Sequence, residues 1–148
     1  MKRDPRLHGL SAEHQEAILF GRRLLEVASA PEGELNPAWD LLRRRFFAEV
    51  QPHFLTEEEE LLPALEAVGE EELVARVWED HEALRALVDD TGEPLRILLA
   101  KLGLRLLAHV RFEEEQVFEV AERRLPPEVL ERIARRTPPP APTSGTGS

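Results

Sequence analysis

Apolar residues recur along the chain at spacings of three and four positions, the repeat of one face of an α-helix. Glycine is sparse, tyrosine is absent, and leucine, alanine, glutamate and arginine dominate, a mixture that favours helices over strands. The apolar pattern predicts four long helices and a short fifth one, over residues 11–30, 36–68, 71–90, 94–124 and 125–136. The fold class predicted from the chain is therefore all-α.

Short polar or proline-containing segments separate these stretches. We predict that Ser11 caps the first helix and that Asn36, followed by Pro37, caps the second. Pro52 lies inside the second stretch, and we expect a kink there rather than a break, because the apolar spacing continues through it. Four long helices with short connections imply an up-down-up-down four-helix bundle, followed by the short C-terminal helix.

The chain divides into one predicted domain and a tail. Residues 1–136 suit a single domain with one sizeable core. Residues 137–148, TPPPAPTSGTGS, offer no apolar content to bury, so we predict a disordered tail rich in proline, serine and glycine.

Charge and cysteine content exclude several classes of function. The formal net charge of −10 argues against a nucleic-acid partner and against an anionic membrane surface. No apolar run reaches membrane-spanning length, and the N-terminus lacks the apolar region of a signal peptide, so a cytoplasmic location is expected. Without cysteine there is no thiolate zinc site, iron–sulfur cluster or cysteine nucleophile. The sequence leaves a homodimer open.

One histidine falls on the apolar stripe of each long helix: His14, His53, His81 and His109. The second and fourth of these are followed at i+4, on the same helix face, by Glu57 and Glu113. A buried imidazole must have its nitrogens satisfied, and a buried carboxylate is costly unless it is paired or bound to a metal. A divalent cation accepts imidazole nitrogen and carboxylate oxygen together, so these six residues predict a metal centre. A single histidine on an apolar stripe is more often a packing residue, and the number and spacing here favour the metal.

The remaining histidine and glutamates near these positions have simpler interpretations. Glu114, five residues after His109, is an alternative to Glu113 as the inward carboxylate. The other glutamates of the two acidic runs are predicted to lie on solvated faces: Glu58, Glu59, Glu60 and Glu115. His8 precedes the first helix and is predicted to lie at the surface.

Four segments of the chain, one in each long helix, resemble the hemerythrin-like HHE cation-binding family. They are LSAEH at 10–14, PHFLTEEEELLPAL at 52–65, WEDHEALRAL at 78–87 and AHVRFEEEQVF at 108–118. The similarity covers residues 5–125. It implies a four-helix bundle that holds two non-haem iron ions joined by an oxo or hydroxo bridge.

The resemblance also implies a role for each candidate residue. The imidazole ligands would be His14, His53, His81 and His109, and the bridging carboxylates would be Glu57 and Glu113. Oxygen-carrying members have a second histidine four residues from the one on the third helix, where this chain has Val77 and Arg85. That departure counts against reversible oxygen carriage, and the set is similar to that of di-iron proteins linked to iron–sulfur cluster repair and nitric oxide stress.

The leading functional hypothesis is a di-iron protein that binds, senses or reduces dioxygen, peroxide or nitric oxide. One alternative is a module that stores iron or delivers it for iron–sulfur cluster repair. Another is a helical interaction bundle whose histidines bind zinc or serve only structure. Zinc or manganese could take the place of iron, and the sequence leaves open whether the protein is an enzyme.

Overall fold

A computed structural model describes residues 2–137, and every regular element in that range is helical. A single 3-10 turn at Pro5–Leu7 precedes five helices: α1 at His8–Ala28, α2 over 32–67, α3 at Glu71–Asp89, α4 over 95–124 and α5 at Pro127–Arg136. The all-α prediction is confirmed, including the short fifth helix. The predicted disordered tail lies, apart from Thr137, outside the described residues. Within 2–137, no helix combines the length and the apolar content needed to cross a bilayer.

Helices α2 and α4 contain wide π-helical turns. Two lie in α2, at Phe46–Val50 and Glu57–Leu61, and one lies in α4, at Glu113–Val117. Each π turn of α2 ends two residues before a proline, either Pro52 or Pro63. Proline lacks an amide hydrogen and its ring clashes with the carbonyl four residues back, so a wider turn lets the helix continue. Helix α2 is therefore not divided at Pro52.

The structure corrects both predicted helix caps. Helix α1 begins at His8, so Ser11 lies inside it, and Asp4 instead caps the preceding 3-10 turn. Helix α2 begins at Glu32, and Pro37 is an internal residue of that helix. In both cases a residue that could cap a helix lies inside a helix that begins earlier. Tertiary packing stabilises the helical conformation of the residues before it.

The core consists of two apolar clusters. One contains Phe20, Phe46 and Phe54 among its buried members, and the other contains Leu61 and Phe118. The long helices pass between the clusters in alternating order, α1 and α3 in one direction along the chain and α2 and α4 in the other. This alternation supports the up-down-up-down order, which stays a prediction. In each long helix, the candidate site residues lie at the point where the helix passes from one cluster to the other.

Helices α1 and α4 approach each other closely at two glycines. A Cβ atom added to Gly103 would lie 3.0 Å from the carbonyl oxygen of Gly21 and 3.0 Å from the Leu25 side chain. The small residue thus lets the backbones of α1 and α4 come together.

We expect Gly103→Leu to destabilise the protein by about 1–3 kcal/mol, because the added side chain must push the two helices apart. The matched control is Gly33→Leu in the first turn of α2, where an added Cβ meets nothing within 4 Å. That change should leave stability unchanged or raise it by up to about 1 kcal/mol through helix propensity. Urea unfolding followed by circular dichroism measures both, and equal midpoints for the two variants would contradict the close approach.

Candidate metal centre

Four histidines and two glutamates meet in the layer between the two apolar clusters. They are the six residues predicted from the sequence: His14, His53, Glu57, His81, His109 and Glu113. All six are buried, with at most 5% of any of them exposed and both glutamates at 0%. Each of the four long helices contributes one histidine, and α2 and α4 each contribute one glutamate.

The Glu57 carboxylate lies between two histidines from different helices. Its Oε2 atom is 2.9 Å from His53 Nε2, and its Oε1 atom is 3.0 Å from His81 Nε2. Glu57 is also the first residue of a π turn, as Glu113 is in α4. Such turns are frequent at functional sites.

The Glu113 carboxylate is placed in the same way. Its Oε1 atom is 2.8 Å from His14 Nε2, and its Oε2 atom is 3.2 Å from His109 Nε2. The six residues therefore form two groups of four donor atoms, and within each group all the atoms lie within 4.8 Å of one another. One group contains His14 and His53, the other contains His81 and His109, and both glutamates belong to both groups.

Most of the inward-facing atoms have no hydrogen-bond partner. They are His53 Nε2, His81 Nε2, His109 Nε2, both carboxylate oxygens of Glu57, and Glu113 Oε2. Although His53 Nε2 is 2.9 Å from Glu57, the pair lacks hydrogen-bond geometry. A buried polar group left without a partner costs about 1–3 kcal/mol. Six such atoms aimed at one small volume fit a metal cation, which would satisfy imidazole nitrogens and carboxylate oxygens together.

The outward nitrogen of every histidine in the site faces a carboxylate. The Nδ1 contacts are His14 with Glu114 at 2.6 Å, His53 with Glu13 at 2.7 Å, His81 with Glu58 at 2.7 Å and His109 with Asp80 at 3.0 Å. In a neutral imidazole these contacts favour Nδ1 as the protonated nitrogen, and Nε2 then faces inward with a lone pair that can bind a cation.

These four contacts form a closed ring around the site, which we call the carboxylate ring. Helix α1 supplies a carboxylate to the histidine of α2, α2 to α3, α3 to α4, and α4 back to α1. Each ring carboxylate is the immediate sequence neighbour of an inward residue on its own helix: Glu13 of His14, Glu58 of Glu57, Asp80 of His81 and Glu114 of Glu113.

The carboxylate ring corrects part of the sequence-based interpretation. Glu58 was predicted to lie on a solvated face, yet its side chain is only 7% exposed and bonds His81. Glu114 is on the outer side of His14 and also accepts a hydrogen bond from Ser11, so the inward carboxylate is Glu113. The predicted exposed positions of Glu59 and Glu115 are confirmed, as is that of His8, while Glu60 is partly buried against two arginines of α5: Arg132 and Arg136.

Sequence reasoning missed Glu13 and Asp80 altogether. The available signal was an acidic residue directly before a candidate histidine, in AEH at 12–14 and EDH at 79–81. That signal is weak, because the partner of each carboxylate lies on a different helix.

Arginines neutralise three members of the carboxylate ring. Arg85 donates two hydrogen bonds to Glu58, at 2.7 and 3.0 Å. Arg105 and Arg76 lie 3.4 and 3.5 Å from Asp80, and Arg3 lies 3.6 Å from Glu114. Within residues 2–137, no arginine or lysine pairs with the fourth member, Glu13, whose side chain is 42% exposed. The corner at His53 is therefore the one most open to solvent.

In the absence of a metal, the pKa values of the site histidines and glutamates are strongly shifted. Burial alone would lower the pKa of His14, but hydrogen bonds with Glu113 and Glu114 outweigh burial and raise that pKa to about 10. Burial and the charge of Glu113 would raise the pKa of Glu57, but the neighbouring histidines, His53 and His14, lower it to about 2. In the metal-free protein these contacts favour the imidazolium form of His14 and the ionised form of Glu57, and a cation can bind at Nε2 only when the imidazole is neutral.

Two phenylalanines stack on the histidine rings. Phe54 lies 3.9 Å from the His81 ring centroid with the rings 15° from parallel, and Phe118 lies 4.9 Å from His14 with the rings 11° from parallel. These contacts fix the ring planes and close the cluster with apolar surface.

The sequence matches a known protein family over most of its length. The family described as the Hemerythrin HHE cation binding domain matches residues 6–121. The chain belongs to this hemerythrin HHE family. The matched range contains all six inward residues and the whole carboxylate ring, and it ends before α5. Searches of curated proteins and of solved structures gave no match.

We expect Asp80→Asn to weaken metal binding by roughly 10–100-fold, because an uncharged amide oxygen accepts the Nδ1 hydrogen of His109 more weakly than a carboxylate and makes the imidazole a poorer ligand. The matched control is Asp89→Asn on the same helix, whose side chain is exposed and paired with Arg43. Competition with a chelator measures the affinities, and circular dichroism checks that both variants fold. Equal affinities would show that the negative charge of Asp80 does not strengthen metal binding through His109.

Proposed function

We propose that this hemerythrin-family chain binds two non-haem iron ions. Two histidines would hold each ion, His14 with His53 and His81 with His109, and Glu57 and Glu113 would bridge the two. The observation that carries the proposal is that both carboxylates belong to both groups of donor atoms. Paired imidazoles with carboxylate oxygens suit iron, while zinc or manganese would be the alternatives.

We propose further that the centre binds, senses or reduces dioxygen, peroxide or nitric oxide. Iron bound by this set would supply electron exchange and coordination positions for a small ligand, since six side chains do not fill the coordination of two six-coordinate ions. The chain's own residues orient the imidazoles through the carboxylate ring and exclude bulk water through the stacked rings of Phe54 and Phe118.

The third helix supports sensing or reduction over reversible oxygen carriage. Where oxygen-carrying relatives would place a further histidine, this chain has Val77, which packs in the apolar core, and Arg85. The Arg85 guanidinium is held by Glu58 and Gln51 on the outer side of His81. Neither side chain supplies an additional ligand, so the two metal positions have equal histidine sets.

Storage of iron, or its delivery for iron–sulfur cluster repair, is a second candidate. It is favoured by the His53 corner, where the supporting carboxylate Glu13 is exposed and lacks an arginine within the described residues. Such a corner would let an ion exchange with solvent more readily than the other three. Removal of iron by a chelator within minutes would favour this candidate, and retention for hours would count against it.

The up-down-up-down order, the cytoplasmic location and the homodimer remain part of the proposal. The order is supported by the alternating passage of the helices between the two apolar clusters. The cytoplasmic location rests on the sequence alone, and the sequence only leaves a homodimer open.

The first test is the metal content of untagged protein purified without added metal. Elemental mass spectrometry should find close to two irons per chain, and the ferrous protein should change its absorption spectrum with dioxygen or nitric oxide. One zinc or manganese ion per chain would support the metal site and contradict the proposed iron redox chemistry. No metal, with unchanged stability when iron is added, would show that the proposed function is wrong.

A matched pair of glutamate variants tests the bridging role. Glu113→Gln should reduce the iron content to one ion per chain or fewer, because the same carboxylate serves both groups of donor atoms. Glu115→Gln, two residues along and 60% exposed, should keep the full content. Metal analysis of both proteins after the same purification checks this, and equal iron contents would contradict the shared carboxylate.

A further inference from the structure

A cavity of about 440 Å³ lies between α1 and α2, with α4 behind it. It reaches three of the four site histidines, His14, His53 and His109. The volume is within the roughly 300–1,000 Å³ of pockets that hold small organic molecules, and it is far larger than a diatomic ligand requires. The cavity can therefore hold a molecule larger than dioxygen or nitric oxide.

The inner wall of the cavity is apolar. It is formed by buried side chains from three helices: Ala17, Phe20, Val50, Phe54, Leu106 and Val110. Two aromatic rings and branched aliphatic groups provide contact surface for an apolar ligand body, and burial of that body would drive binding.

The rim of the cavity is acidic. It carries three carboxylates, Glu13, Glu16 and Glu49, and one guanidinium, that of Arg136. Glu49 is paired with Arg45 at 3.2 Å, and Glu13 is hydrogen-bonded to His53. Arg136 is engaged elsewhere, because its Nη2 atom lies 2.6 Å from Glu59. Glu16 is exposed and has no ion pair within the described part of the chain. The unpaired Glu16 carboxylate, on a chain of net charge −10, favours cations over carboxylates and phosphates at this rim.

We propose that the cavity binds a small organic cation, a protonated amine on a short apolar chain or ring. The apolar body packs against Phe20 and Phe54, and the ammonium group lies at the rim near Glu16. The site adjoins the metal cluster but needs no metal to form. This binding activity goes beyond the proposed iron chemistry and can succeed or fail independently of it.

The first experiment compares three probes of equal length, n-hexylamine, 1-hexanol and n-hexanoate, by calorimetric titration of the full chain. We expect hexylamine to bind about tenfold more tightly than hexanoate, the ratio that corresponds to about 1.4 kcal/mol, with hexanol between them. The titration is repeated after metal removal, with folding checked by circular dichroism, and the affinity for the amine should persist. Equal binding of the three probes, no binding of any, or binding lost from the folded metal-free protein would overturn the proposal.

Variants at the rim locate the site. Ala48→Trp places a large ring at the exposed mouth of the cavity and should weaken hexylamine binding at least tenfold. Ala75→Trp, exposed on α3 and away from the cavity, should not weaken it.

Glu16→Gln should weaken hexylamine binding about fivefold, the factor that roughly 1 kcal/mol of charge interaction gives, and leave hexanol binding unchanged. Glu66→Gln, exposed near the end of α2, is its control. Unchanged amine binding in both Ala48→Trp and Glu16→Gln would place the ligand elsewhere and overturn the proposal.

Discussion

The structure depends on two carboxylates buried between two apolar clusters. Glu57 and Glu113 have no exposed surface, and desolvation of two charges a few ångströms apart is unfavourable unless positive charge surrounds them. In the metal-free protein, contacts with the carboxylates outweigh burial and raise the pKa of all four histidines, which favours positive charge around the two glutamates. A bound cation would supply positive charge at the same place. The crossing of the long helices between the clusters brings the compensating groups to one layer.

The carboxylate ring makes the four long helices interdependent. Successive residues of a helix point about 100° apart, so one can face the centre while its neighbour faces the next helix. Glu57 and Glu58 show this arrangement, the first between two histidine Nε2 atoms and the second on the outer nitrogen of His81. Sliding or rotating one helix would misplace an inward residue and a supporting carboxylate together, which fixes the register of α1 to α4.

The surroundings of the cluster are not equivalent on all sides. Arginines hold three of the ring carboxylates and stacked phenylalanines cover two imidazoles, whereas the His53 corner has the exposed Glu13 and the cavity between α1 and α2. A ligand or ion exchanging with solvent would therefore meet the cluster at the His53 corner. The inward residues are arranged alike around the cluster, but solvent reaches the cluster mainly from one side.

The sequence by itself determined the all-α class and the six inward residues, because helical periodicity places each histidine and its i+4 glutamate on an apolar stripe. It did not determine where α1 and α2 begin, since packing extends both helices past residues that would cap a helix locally. It also could not assign Glu13, Glu58, Asp80 and Glu114, because each is defined by a histidine on another helix. Those roles and the cavity were decided by tertiary structure, which alone sets distances between helices.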